Sequence, residues 1–319
     1  MEQRSLGRTG DNVSALCMGC WEIGGLAWGA MAAPKAVDLV QRAFDAGITT
    51  FDTAECYGNG RSEVLIGEAL RGRRENAFII SKVGYLPGID GAQVVLGFPQ
   101  PQDYSPKRIR DACDLALRRL QTTYIDAYLL HDPPMHVVEH EAPFGTLKQL
   151  QDAGKIRWWG VSATTGQTEI AAEAIRRWDA PVVETPFSAI DDSAADVVLP
   201  LAAERGTGVF ARSPFANGLL MLNYEEIDAL PDTDWRRSDV FRARMQAAAE
   251  PRERIQDLAD QRDELRHTTG IGFVLGHDAV STCIVGLAND RDITANAPAG
   301  NPPYLDADEI KTIRVGPTS

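Results

Sequence analysis

Three short apolar runs, ITTFD, FIISK and YLLH, end at Asp52, Lys82 and His131, and Tyr57 follows the first of them in the turn TAECYGNG. A carboxylate, an ammonium, an imidazole and a phenol delivered to one place suit proton transfer to a carbonyl oxygen. A phenol titrates near ~10 and is a sluggish acid at neutral pH. A neighbouring ammonium favours the phenolate, so Lys82 is expected to pull Tyr57 below its ordinary range. Asp52 would keep Lys82 charged and aimed, and His131 would hydrogen-bond the substrate oxygen. Each residue has a plainer reading on its own: a strand-end Asp as a helix cap, a His as a satisfied buried donor. The convergence of four such groups on one rim favours the chemical reading.

Other chemistries find no footing. His131, His136 and His140 are spaced five and four apart across DPPMH, where two prolines prevent a continuous helix, and the H-E-x-x-H pattern that sets two ligands on one helix face is missing, so no metal site is expected. There is no G-x-S-x-G for acyl transfer and no P-loop for phosphoryl transfer. Cys17 and Cys20 form a lone C-x-x-C in ALCMGC; on a strand their side chains would point to opposite faces, which suits buried thiols rather than a redox or metal pair.

The elements that must position these residues alternate along the chain. SALCMG is a strand, PKAVDLVQRAFDAG a helix with an apolar stripe, and ITTFD a strand followed by a helix from about Ser62 to Leu70. AFIISKVG, YIDAYLLH, KIRWWGVS, PVVET, TGVFAR and VSTCIVG continue the strands, with helical patterns between them. Eight such cycles imply a parallel sheet with helical crossovers. Their unbroken alternation favours closure into a (β/α)8 TIM barrel, a single domain over residues 1–319. In such barrels catalytic groups project from the C-terminal strand ends. Long loops at Gly84–Tyr104 and Leu219–Arg237 are expected to shape the substrate site. The first holds Tyr85, Leu86, Phe98 and Tyr104, with Asp90 and Asp103 as its acidic residues, which suggests a neutral, partly apolar or hydroxylated substrate.

With 44% apolar and 24% charged residues, the composition is that of a globular protein. A net charge of −13 without a basic cluster argues against nucleic acid as a partner. The polar start MEQRSLGRTGD has no apolar core of a signal peptide, and no apolar run reaches the ~18 residues of a membrane span. A soluble cytoplasmic protein, a monomer or small homo-oligomer, is expected.

FDTAECYGNGRSEVLIGEAL, IISK, YIDAYLLHDP, GKIRWWGVS and SPFANGLL, in this order and spacing, resemble the aldo-keto reductase family from about Leu6 to Asn296. The resemblance implies a (β/α)8 barrel, an extended nicotinamide dinucleotide and a tetrad that falls on Asp52, Tyr57, Lys82 and His131, with Tyr57 as general acid in reduction and base in oxidation. It also implies cofactor contacts. Gly19 and Trp21 match the Gly and aromatic after the first strand, and Ser162 matches the Ser of the family's G-V-S-N, whose Asn is here Ala163. Glu184 stands where a Gln holds the carboxamide, and Arg212 where an aromatic stacks on the nicotinamide. Ser213 and Pro214 open SPFANGLL. Gly286, Ala288, Asp292 and Asn296 lie in GLANDRDITAN, which resembles the adenosine-phosphate segment.

Asp292 takes a place where NADP-using members carry Arg or Gln. A carboxylate there would repel a 2′-phosphate, while Arg291 beside it would compensate. The cofactor expectation is therefore NADP(H), with NAD(H) close behind. Reduction of an aldehyde or ketone is the leading expectation. The alternatives are NAD-dependent oxidation of a sugar lactol or alcohol, and a regulatory subunit that binds cofactor without turnover.

Overall fold

The structure is a computed structural model that describes residues 1–25, 31–88, 93–94, 97–232 and 234–314. Asp90, singled out in the first long loop, lies outside the described residues.

The chain begins with a hairpin, β1 (Gln3–Ser5) paired antiparallel with β2 (Asn12–Ser14). Eight parallel strands follow: β3 (Leu16–Gly19), β4 (Thr50–Asp52), β5 (Phe78–Val83), β6 (Ile125–His131), β7 (Ile156–Ser162), β8 (Val182–Pro186), β9 (Gly208–Arg212) and β10 (Val280–Gly286). Each pairs with the next, and β10 closes the barrel against β3. This is the expected (β/α)8 architecture.

The period-two alternation of strand side chains divides the core into two layers. Cys17, Phe78, Ile80, Ala127, Leu129, Val182, Phe210 and Ile284 fill the barrel interior. Their neighbours, among them Met18, Phe51, Ile79, Tyr128, Val161, Val183, Ala211 and Val285, face the helices. Two residues beyond an inward position the next side chain is inward again. That parity puts Gly19, Asp52, Lys82, His131, Ser162, Glu184, Arg212 and Gly286 at the C-terminal rim, directed to the barrel axis.

The hairpin closes the opposite end. Leu6 and Val13 are buried in the interior layer, and a Cβ at Gly208 would collide with the Leu6 side chain. Only glycine at the start of β9 leaves room for that plug. Asp11 anchors the turn, taking a 2.6 Å bond from Trp158 Nε1 and pairing with Arg157 at 2.5 Å.

Two helices show how local sequence sets the crossovers. Ser105 caps the helix Pro106–Leu120 by accepting from Arg108 N, with Pro at the first helical position. The helix Ala33–Asp45 has Pro34 in its first turn and buries Ala36, Leu39, Val40 and Ala43 on one face. The second long loop is more structured than its short, irregular apolar spacing suggests. It holds a helix, Tyr224–Asp228, with an Asn223/Glu226 capping box, and Leu219, Ile227, Trp235, Phe241 and Met245 form a small core of their own. No described helix is long and apolar enough to cross a membrane.

Candidate active site

Asp52 ends β4, and its backbone carbonyl accepts from Cys20 N at 2.9 Å, which ties the ends of β3 and β4 together. Lys82 is completely buried on β5, and its Nζ donates to Asp52 Oδ1 and, at 3.2 Å, to the Thr53 carbonyl. The same Nζ lies 3.4 Å from Tyr57 Oη and 3.4 Å from Glu184 Oε2. Tyr57 arrives from a turn whose shape is fixed on both sides. Thr53 Oγ1 donates to Ser62 Oγ, which donates to the Cys20 carbonyl, each at 2.8 Å. Gly58, at φ +65°, is packed so tightly on Gly24 that a Cβ would strike its carbonyl. The Trp21 ring stacks on Tyr57 at 6.0 Å between centroids.

His131 ends β6 with its ring edge-on to both Tyr57 and Tyr85, at 5.9 and 5.0 Å. Its Nδ1 lies 3.6 Å from Cys56 Sγ, and its backbone carbonyl accepts from the Tyr104 hydroxyl. The four residues expected to act together are thus brought to one point.

Electrostatics at this point correct one expectation. Burial lifts the Tyr57 phenol well above its ordinary range; Lys82 pulls it down, but Asp52 and Glu184 push it up again, and the net direction is upward. Tyr57 is a protonated acid held ready rather than a half-ionised one. Burial also works against the Lys82 ammonium, yet Asp52 and Glu184 outweigh it and hold it well above the usual lysine range. Burial, with Glu184 beside it, pushes Asp52 up to about 8 against the pull of Lys82. Burial and the nearby Lys82 and Arg212 keep His131 neutral.

The residues carried over as cofactor contacts fall into two groups. Ser162, Glu184 and Arg212 adjoin the tetrad. Ser162 Oγ donates to Glu184 Oε1 at 2.9 Å, Arg212 Nε is 3.5 Å from that oxygen, and Arg212 Nη2 donates to the Ala163 carbonyl at 2.8 Å. Gly19 and Trp21 stand at the end of β3, and Ser213 and Pro214 directly follow β9. Gly286, Ala288, Asp292 and Asn296 belong to the second group, after β10. There the Asp292 carboxylate turns back on its own loop, accepting from Ala288 N at 2.8 Å and Asn289 Nδ2 at 3.0 Å, and its backbone carbonyl accepts from Asn296 Nδ2 at 2.8 Å.

Three residues at these sites escaped the sequence reading. Asp132 follows His131 in the left-handed region at φ +48°. It accepts from the Tyr85 hydroxyl at 2.9 Å and lies 3.7 Å from Arg212. Its signal was only its adjacency to a strand-end His. Glu55 is buried and paired with Arg108 at 2.6 Å, anchoring the Tyr57 turn to the helix Pro106–Leu120. Glu22 lies so close to Gly286 that a Cβ there would meet its carboxylate. Burial, with Asp292 nearby, raises Glu22 to about 7 against the pull of Arg236.

A cavity of about 880 Å³ opens over the tetrad, with Trp21, Tyr57, Tyr85, His131, Asp132 and Arg212 among its walls. Of the aromatic residues expected from the first long loop, Tyr85 and Phe98 line it, whereas Tyr104 is buried behind His131. Asp103 serves locally, accepting from Ser105 N at 2.8 Å. The charge in the cavity comes instead from Asp132 and Arg212 at the strand ends and from Glu169 and Arg244 in its walls, so it is more polar than the loop composition implies. A second cavity of about 310 Å³ shares Thr165, Asn217 and Arg244 with it and reaches Ser213 and Trp235.

Comparison with known proteins points one way. A family model described as the aldo/keto reductase family matches residues 15–315. Pyridoxal 4-dehydrogenase of Microbacterium luteolum is 29% identical over 323 residues, covering 92% of each chain. Aldo-keto reductase YhdN of Bacillus subtilis is 30% identical over 247 residues, 75% of this chain and 70% of that protein. Among solved structures, the holo form of aldo-keto reductase AKR11C1 from Bacillus halodurans superimposes with a TM-score of 0.80 at 26% identity, covering 98% of this chain and 95% of that one. The glycerol dehydrogenase AKR11B4 from Gluconobacter oxydans gives 0.77 at 25% identity over 98% and 93%.

Proposed function

The chain belongs to the aldo/keto reductase family, and is thereby an NAD(P)-dependent oxidoreductase of carbonyl or alcohol substrates; on that premise we propose that Tyr57 is its general acid and base, with reduction of an aldehyde or ketone as the leading activity. The observation that carries this reading is the single ammonium of Lys82, within 3.4 Å of Tyr57 Oη and held by Asp52.

In reduction the protonated Tyr57 gives its proton to the carbonyl oxygen as that oxygen gains negative charge. Lys82 stabilises the phenolate that remains, a charge-assisted contact that strengthens only as the proton leaves. Neutral His131 donates a hydrogen bond to the same oxygen and fixes its approach. In the oxidative direction the phenolate takes the hydroxyl proton. Asp52 touches no substrate in this scheme; it positions Lys82.

A bound nicotinamide dinucleotide supplies or accepts the hydride. Two buried atoms that find no hydrogen-bond partner among the described residues, Glu184 Oε2 and Arg212 Nε, support its placement here. A carboxamide offers both an N–H donor and a carbonyl acceptor, which is what these atoms need. Ser162, Ala163, Glu184 and Arg212 would hold the nicotinamide end with Gly19 and Trp21, and Ser213 and Pro214 the segment beyond. Gly286, Ala288, Asp292 and Asn296 would hold the adenosine end; Asn296 Oδ1 is buried there without a partner among the described residues.

A second reading, NAD-linked oxidation of an alcohol or lactol, is favoured by Asp292 and Glu22, two acidic groups beside the same segment. Two of the similar proteins are named as dehydrogenases, of pyridoxal and of glycerol. Cofactor absorbance followed in both directions, with aldehydes, ketones, lactols and polyols and with both cofactor pairs, tests the proposal. Turnover of a carbonyl with NADPH or NADH supports the leading reading, and oxidation alone supports the second. No turnover with any of them removes the reading of Tyr57.

A further inference from the structure

The buried charges at the rim do not balance. The side chains of Asp52, Glu184 and Asp132 are at most 7% exposed, and among the described residues the cations paired with them are Lys82 and Arg212. Lys82 on β5 stands between Asp52 on β4 and Glu184 on β8. Arg212 on β9 lies 3.5 Å from Glu184 and 3.7 Å from Asp132, just beyond β6. Ser162 on β7 adds a neutral donor to Glu184. Tyr57, Tyr85, Cys56 and His131, the other titratable groups here, are all held neutral. Where Asp52 is ionised, above about pH 8, three carboxylates against two cations leave one negative charge in excess.

An uncompensated buried charge is costly. Its position is equally informative: Glu184 Oε2 and Asp132 Oδ1 are buried and accept no hydrogen bond from the described residues. An amide in place of Glu184 would balance the set at two and two. The carboxylate therefore adds a feature that hydrogen bonding to a carboxamide does not require.

We propose that Glu184 makes the site selective for the oxidised, cationic form of the nicotinamide over the reduced, neutral form, the bound ring supplying the positive charge that this buried cluster lacks. The inference rests on the reading above that the nicotinamide end lies against Ser162, Glu184 and Arg212. Two charges a few ångströms apart at a partly buried site interact strongly enough for a tenfold difference in affinity or more. Glu184 is then a specificity-determining residue for the redox state of the cofactor.

The test is equilibrium binding with no substrate present. Dissociation constants for NAD⁺, NADH, NADP⁺ and NADPH are measured by tryptophan quenching and calorimetry, on the full chain and on Glu184→Gln and Asp132→Asn. Work at pH 9 keeps Asp52, raised to about 8, ionised. In whichever couple binds, Glu184→Gln should weaken the oxidised form relative to the reduced form about tenfold. Asp132→Asn, which removes a charge from the other side of Arg212, should shift the ratio in the same direction and decides the matter if Glu184→Gln does not fold. An unchanged ratio overturns this inference and leaves the proposed function standing. Failure of both couples to bind overturns both.

Discussion

Lys82 carries more of the site than any other side chain, because burial would expel its charge and two carboxylates retain it. Lys82→Met therefore removes both the electrostatic support of the Tyr57 phenolate and the partner of Asp52 and Glu184. Turnover should fall at least a hundredfold, and stability should fall by about 3–5 kcal/mol, the usual cost of leaving a buried charge unpaired. Lys82→Arg keeps the charge but spreads it over a plane, so the pH–rate profile should change shape even where the variant folds well. A profile and rate identical to those of the parent would make Lys82 a structural residue. At the other end of the proposed cofactor site, Asp292 has a double role, since its carboxylate ties down Ala288 N and Asn289 Nδ2. Replacement by Arg would break that loop along with the charge. Asp292→Asn keeps an acceptor for the loop and removes the repulsion, and should move the NADPH-to-NADH affinity ratio up by about tenfold, or ~1.4 kcal/mol. Titration of both reduced cofactors against parent and variant measures it; an unmoved ratio would place the 2′-phosphate elsewhere.

Among the elements, the eight barrel strands were legible because their period-two pattern and the punctuation between them are strong signals, and the strand ends then delivered Asp52, Lys82 and His131. The parity of inward positions even predicts that Ser162, Glu184 and Arg212 face the same axis. The hairpin was not legible. Strands of three residues, Gln3–Ser5 and Asn12–Ser14, are too short to show a period, and Leu6 reads as an isolated apolar residue in a polar start. The Leu219–Arg237 segment hid its small core for the same reason, since its apolar residues pack across distant positions rather than along one helix face. Cooperation between charges was equally invisible. That Glu184 shares Lys82 with Asp52, and that burial outweighs Lys82 at Tyr57, depend on packing that spacing cannot report. The hairpin makes a separable prediction. Leu6→Ala empties the plug at the closed end of the barrel and should cost about 2–4 kcal/mol, read as a lower thermal or urea midpoint. It lies at the end opposite the rim, so turnover per folded molecule should stay unchanged. A loss of turnover without a loss of stability would mean that the two ends of the barrel are coupled.

For the molecule as a whole, a net charge of −13 and several buried carboxyls make stability depend on pH. Glu22 gives a clean case. Its folded pKa of about 7 stands above the ordinary 4.5, so the folded state holds this proton longer than the unfolded chain does. Its contribution is complete below about pH 4.5 and is lost as pH rises through 7. Glu22→Gln should match the parent at pH 4.5 and melt higher at pH 8. Thermal melts at the two values check the sign. The fold, the family and the proposed chemistry meet at one hydroxyl, and Tyr57→Phe removes it with little change in shape. The decisive measurement is steady-state turnover of this variant with the best substrate, alongside its cofactor dissociation constant. The account predicts turnover lower by about two to four orders of magnitude, with cofactor affinity within about twofold of the parent. Turnover close to that of the parent, with a deuterated cofactor showing that hydride transfer limits the rate, would contradict it.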